Sequence, residues 1–140
     1  MKNLNIVQGV VYSRGVDGLN FLIVKRVPSD GGFWQAITGT IEPGEEPLTT
    51  LKRELVEEAG LNDLIHVSDL LETYKWSNET VSGIDSVFAI EVRQDVQIIL
   101  EPSEHDMFKW LLLEDAIKML KYDGNKLSMR AAAFYANSLS

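Results

Sequence analysis

GTIEPGEEPLTTLKRELVEEAGL, residues 39–61, joins a loop rich in glycine and proline to a helix that carries three carboxylates. Pro43, Gly44 and Pro47 exclude regular structure before the helix. Pro47 suits the first helical turn, where its missing N–H costs nothing, and Gly60 is a natural C-cap. At about 100° per residue, Glu54, Glu57 and Glu58 fall within roughly a quarter of the helix circumference. Leu48, Leu51, Leu55 and Ala59 form an apolar stripe beside them. One face is thus built to pack on a core while its neighbour concentrates negative charge. Like charges three and four residues apart weaken a helix, so a bound divalent cation is expected to offset the cost.

Working outward, residues 4–12 are rich in β-branched side chains and read as a strand. SRGVDGLN, 13–20, reads as a turn, and 21–27 as the second strand of a hairpin. A loop at 28–32 and a short strand at 33–38, FWQAIT, deliver the chain to Gly39, and 40–42 extend that strand. Beyond the helix, residues 65–74, 81–92, 96–100 and 108–112 read as strands, with a polar loop at 76–80 and an acidic one at 101–106. Residues 113–120 read as a helix with acidic residues in its first turn, 122–125 as a turn and 127–139 as a last helix. Strands alternating with a few helices give a mixed α/β domain with helices covering a sheet. No repeat, low-complexity run or linker divides the 140 residues, so one domain over 1–140 is expected.

The formal net charge of -8 argues against electrostatic binding to a nucleic acid polymer or an anionic membrane. With no cysteine, disulfides and thiolate metal sites are excluded, and a reducing cytoplasm is the expected compartment. MKNLNIVQGVVYSR lacks the apolar core and cleavage site of a signal peptide. The chemistry therefore falls to oxygen ligands. A glycine at 39 lets the backbone approach a ligand closely and leaves its carbonyl free to face a cation. Glu54, Glu57 and Glu58 suit Mg²⁺ or Mn²⁺, which bind through a few carboxylates, waters and substrate phosphates. Such a helix points to phosphate-ester or phosphoanhydride chemistry, in which metal lets an acidic protein hold a polyphosphate.

The spacing is specific. Five residues separate Gly39 from Glu45, and seven more lead to Arg53-Glu54-Leu55. One spacer then precedes Glu57-Glu58, and another precedes Gly60-Leu61. This resembles the Nudix box at every fixed position. The resemblance implies a Nudix-type α/β/α sandwich around a mixed β-sheet, and hydrolysis of a nucleoside diphosphate linked to another group. It assigns Glu57 and Glu58 to metal, Glu54 to metal or to general base, the Gly39 carbonyl to the metal shell, and an Arg53–Glu45 pair to orienting the loop.

Outside the box, FWQAITGTIEPGE (33–45) and QIILEPSEHDMFKW (97–110) are similar to segments of bacterial dihydroneopterin triphosphate and nucleoside triphosphate pyrophosphohydrolases. The similarity makes Glu104 a distal metal ligand or general base, with Glu101 as the fallback. It places Lys25 and Arg26 near substrate phosphates, where Arg26 would give bidentate contact; a solvated strand end is the alternative. Trp34 and Gln35 either contact the base or pterin ring or belong to the core. Tyr74 and Trp76 are open to the same two roles. The connection KWSNETVSGID is shorter than in the pterin enzymes, which leaves room for ordinary NTPs or dNTPs. The expected activity is a Mg²⁺-dependent pyrophosphohydrolase acting on a small nucleoside or pterin polyphosphate. The alternatives are a bis(5′-nucleosyl)-tetraphosphate hydrolase, which SEHDMFKWLLLEDA also resembles, and a non-catalytic Nudix-fold module, which would normally have lost box glutamates. Dimers are common in the family, so a homodimer is compatible with the resemblance.

Overall fold

The computed structural model describes residues 2–139. The strands are β1 (Lys2–Asn3), β2 (Ile6–Gly15), β3 (Gly18–Arg26), β4 (Trp34–Gln35), β5 (Ile37–Thr40), β6 (His66–Val67), β7 (Glu72–Ser77), β8 (Val81–Glu91) and β9 (His105–Leu112). The helices are α1 (Pro47–Ala59), α2 (Leu113–Met119) and α3 (Asp123–Ser138). The sheet is mixed. β2 runs parallel to β8 and antiparallel to β3 and β5, while β7 and β9 add antiparallel strands outside β8 and β3.

Alternation along the strands divides the core in two. Val7, Val11, Leu22, Val24, Phe88 and Ile90 face α1, whose Leu51, Leu55 and Ala59 are fully buried against them. Val10, Tyr12, Phe21, Ile23, Val87 and Ala89 face the other way, onto Ala116, Met129, Ala132 and Ala136 of α2 and α3. The period of two in these strands thus produces the sandwich, since each central strand must satisfy helices on both faces. Burying one such Leu or Ile side chain is worth about 1.5–3 kcal/mol.

The hairpin turn is tighter than the two glycines suggest: pairing continues to Gly15↔Gly18, leaving only Val16 and Asp17 between the strands. Residues 65–74 do not form one strand. Ser68 exchanges bonds with Ala89 through both its backbone N–H and its hydroxyl, and the ladder breaks into β6 and β7. Trp76 lies in β7 rather than in a loop, because Asn78 Oδ1 accepts the Thr80 and Val81 N–H groups and closes a short β7–β8 turn. Residues 96–100 form no strand. Val96, Ile98 and Leu100 pack on the α1-side core, so their alternation records packing without a partner strand. The acidic loop ends two residues early, at Glu104, and α3 begins at Asp123, inside the expected turn.

The site is placed by a fork in the sheet. The first half of β2 pairs with β5 (Val7↔Gly39) and the second half with β3 (Tyr12↔Phe21), so β3 and β5 separate. α1 lies beneath the gap. β9 pairs with β3 in a register that sets His105 against Arg26 at its mouth. On the far edge, a Cβ added to Gly83 would stand 1.8 Å from the Leu4 carbonyl oxygen, closer than any non-bonded contact permits. Gly83→Ala is therefore expected to detach residues 2–4 from β8 and cost about 2–3 kcal/mol, or roughly 10 °C in Tm, read by thermal denaturation.

Candidate active site

α1 presents its carboxylates as a graded fan. Glu58 adjoins the apolar stripe and is only 7% exposed. The side chain of Glu54 is 17% exposed and that of Glu57, at the outer edge, 60%. The order follows the helical wheel, because the residue nearest the packed stripe is carried deepest. Above Glu54 runs β5, so close that a Cβ on Gly39 would lie 2.4 Å from Glu54 Cγ.

The loop before α1 is held by Glu45. Its Oε1 accepts the Glu42 N–H at 3.1 Å and the Thr50 hydroxyl at 2.9 Å, and its Oε2 pairs with Arg53 Nη1. The Arg53 hydrogen bond, first among the causes, holds the Glu45 carboxyl below the usual range. Arg53 also reaches Glu54 at 3.7 Å and Glu57 at 4.0 Å, so it spaces the carboxylates as well as closing the loop. Glu45→Ala is expected to leave the circular dichroism spectrum unchanged and to weaken divalent-cation affinity about 10-fold in a calorimetric titration, the usual effect of loosening a ligand's support.

From the other side of the fork comes Glu104, followed by the buried His105. One ligand atom each from Glu58, Glu104 and His105 lie within 4.8 Å of one another. Burial, first, and then the neighbouring Glu104 and Glu54 push the Glu58 carboxyl up to about 9. Burial and the charge of Glu57 raise Glu54 in the same direction. Glu58 Oε2 is buried without a hydrogen-bond partner. A buried acceptor with no donor, set among other carboxylates, has the chemistry of a ligand for a hard divalent cation. His105, 1% exposed, is held below its ordinary range by burial and by Arg26, and so stays neutral.

Of the residues singled out in the sequence, Arg26, Gly39, Arg53, Glu54, Glu58 and Glu104 line one cleft; Glu57 does not line it and meets it only through Arg53, 4.0 Å away. Arg26 is already engaged, paired with Asp30, bonded to Gln35 and set 5.4 Å over the Phe33 ring. Gln35 is buried behind His105 and does not border the cleft. Lys25 and Trp34, paired across β3 and β4, lie on the α2–α3 side, where Trp34 packs on the core beneath Lys109. Tyr74 donates to Asp85 at 2.7 Å in a buried polar network with Gln8 and Ser128. The cleft also uses Leu4, Ile6, Thr38, Thr40 and Glu42, which the sequence reading passed over. Thr38 and Thr40 flank Gly39 on the opposite face of β5 from the one that Gly39 turns to Glu54, so alternation gave no signal for them. An adjoining hollow shares Leu4, Thr40 and Glu42 and extends the cleft outward.

Fold and cleft together define an α/β protein with a helix-borne carboxylate array facing an open groove. The family description "NUDIX domain" matches residues 5–131, and the chain belongs to the Nudix hydrolase family. It is 33% identical over 125 residues to an octanoyltransferase of Myxococcus xanthus, covering 88% of this chain but spanning only 34% of that protein. It is 29% identical over 146 residues to a dihydroneopterin triphosphate diphosphatase of Haemophilus influenzae, covering 95% of this chain and 89% of the relative. A solved Ap4A hydrolase of C. elegans shares the fold with a TM-score of 0.80 at 24% identity, covering 96% of this chain and 98% of that one. No described helix is long and apolar enough to cross a membrane.

Proposed function

We propose that the chain is a Mg²⁺- or Mn²⁺-dependent pyrophosphohydrolase that cleaves a nucleoside triphosphate, or a related triphosphate such as dihydroneopterin triphosphate, to the monophosphate and pyrophosphate. The observation that carries this reading is the unpartnered, buried Glu58 oxygen in a groove shared with Glu54, Glu104 and Gly39. Glu58 and Glu57, with the Gly39 carbonyl and whichever of Glu54 and Glu104 is not the base, would hold the cation. When bound, it supplies charge neutralisation for the phosphates and stabilisation of the charge that develops in displacement.

The chain's own groups do the rest. Arg53 and Glu45 keep the loop closed over the phosphates. Arg26 offers the guanidinium that faces the groove. Glu54 and Glu104 are the carboxylates able to take the proton from the attacking water. Water adds to the α- or the β-phosphorus, the P–O bond to the bridging oxygen between them breaks, and the electron pair leaves on that oxygen, with pyrophosphate in the first case and with the monophosphate in the second. Glu54→Gln and Glu104→Gln separate the two candidate bases. The variant of the true base is expected to lose kcat by about 10²–10⁴-fold with cation affinity little changed, whereas loss of a ligand raises the cation requirement.

The hollow beyond Thr40 and Glu42 would accommodate a longer chain, which favours a dinucleoside polyphosphate as the second reading. A panel of NTPs, dNTPs, dihydroneopterin triphosphate and Ap4A, assayed with Mg²⁺ and with or without inorganic pyrophosphatase, tests both. Phosphate appearing only after pyrophosphatase is expected with a triphosphate. Cleavage of Ap4A alone would select the second reading, and no cleavage of any member would exclude both.

A further inference from the structure

His105, Glu58 and Glu104 have the spacing of a three-residue metal centre. The hydrogen bonds behind the histidine oppose that role. Gln35 Oε1 accepts from Arg26 Nε at 3.2 Å, which turns the Gln35 amide N–H groups toward His105 Nε2 at 3.0 Å. The opposite amide orientation would set two donors against each other at Arg26. His105 Nε2 is therefore an acceptor with its lone pair committed. The proton of the neutral ring sits on Nδ1, which is buried and has no partner. A ligating histidine is wired the other way: its rear N–H donates to a carboxylate, carbonyl or water, and the opposite nitrogen offers its lone pair.

We propose that Gln35, gripped by Arg26, fixes His105 in the Nδ1–H tautomer and so withholds both ring nitrogens from the metal. The centre is thereby restricted to oxygen ligands, and Mg²⁺ and Mn²⁺ are favoured over Zn²⁺ and Ni²⁺, which suit imidazole. The consequence for metal choice rests on the cation site proposed above; the tautomer does not. Gln35 is a positioning residue in this account, not a contact to the substrate ring. The device is rigid because each member is held from behind. Asp30 and Phe33 fix Arg26, and Gln35 and His105 are only 5% and 1% exposed, so water has little access to re-orient either one.

The test uses ¹⁵N-labelled protein. Long-range ¹⁵N–¹H correlation of the His105 ring in the metal-free wild type is expected to show a protonated Nδ1 and a bare Nε2, unchanged on titration with Mg²⁺. Gln35→Glu places an acceptor behind the ring. It is expected to move the proton to Nε2, free the Nδ1 lone pair and raise the ratio of Zn²⁺ to Mg²⁺ affinity at least about 10-fold. Gln35→Met, which neither donates nor accepts strongly, is expected to give a mixture of tautomers and covers the case in which the glutamate variant fails to fold. A wild-type ring protonated at Nε2, a Gln35→Met ring still wholly Nδ1–H, or a metal ratio within twofold of wild type in folded Gln35→Glu would each overturn the inference. Absence of turnover across the substrate panel would defeat the proposed activity and leave the ring assignment standing.

Discussion

Glu58→Gln is expected to lower kcat/KM by about 10³-fold or more and to make the metal-free protein more stable at neutral and alkaline pH. Both effects have one cause. The Glu58 carboxyl is buried beside Glu104, and ionising it there without a cation is costly. In the proposed site that charge would be a ligand to the cation that stabilises developing phosphate charge, and removing such a group typically costs two to three orders of magnitude or more. The pH dependence follows from the direction of the shift. The folded carboxyl keeps its proton to about 9, against 4.5 in the unfolded chain. Its contribution to stability is therefore complete below pH 4.5 and is lost as pH rises toward 9. Asp85, raised to about 6 chiefly by burial, adds a smaller decline of the same sign at lower pH. Thermal denaturation in chelator across this range should show a falling Tm for wild type, a flatter profile for Glu58→Gln, and recovery of wild type on adding Mg²⁺. A Glu58→Gln enzyme with wild-type turnover would remove Glu58 from the centre.

Gly39→Ala should be nearly as damaging to activity while sparing the fold. Gly39 is extended backbone, so its need for glycine is one of space: the added methyl would meet Glu54 Cγ at 2.4 Å and Glu54 Cδ at 3.1 Å. These atoms belong to a flexible side chain, so relief comes by swinging Glu54 aside rather than by breaking β5. The expected result is a fall in kcat of about 10²-fold, the order that misplacement of a catalytic group by an ångström produces, with a change in stability of about 1–2 kcal/mol. Kinetics and denaturant melts on one preparation check it. Near-normal kcat would show that Glu54 need not occupy its observed position. Loss of folding would show that β5 cannot relax around the methyl.

The elements of the fold differ in how local the forces that form them are. α1 was legible to its caps, because Pro47, the leucine stripe and Gly60 act within the helix itself. The central strands were legible for the same reason: β-branched runs bounded by turn residues are local signals. The segment 96–100 misled because alternating apolar residues record burial, and burial does not require a partner strand. Lys25, Arg26, Trp34 and Gln35 were grouped by their position in the chain. Alternation across β3 and β4 then sent Lys25 and Trp34 to one face and Arg26 and Gln35 to the other.

Family, sheet class and the carboxylate array were thus determined by the sequence alone, since they depend on spacings within one helix and its loop. Which carboxylate is buried, which distant residue joins it and what stands behind it were decided only by the tertiary structure. Glu58 is deepest because α1 docks through the adjoining stripe. Glu104 and His105 reach it because β9 pairs with β3 in a register that sets His105 against Arg26. Gln35, separated from His105 by 70 residues, meets it across the end of β3, whose two edges carry β4 and β9. Such contacts arise from strand register and helix docking, which depend on the whole core packing at once and leave no trace in any local run of residues.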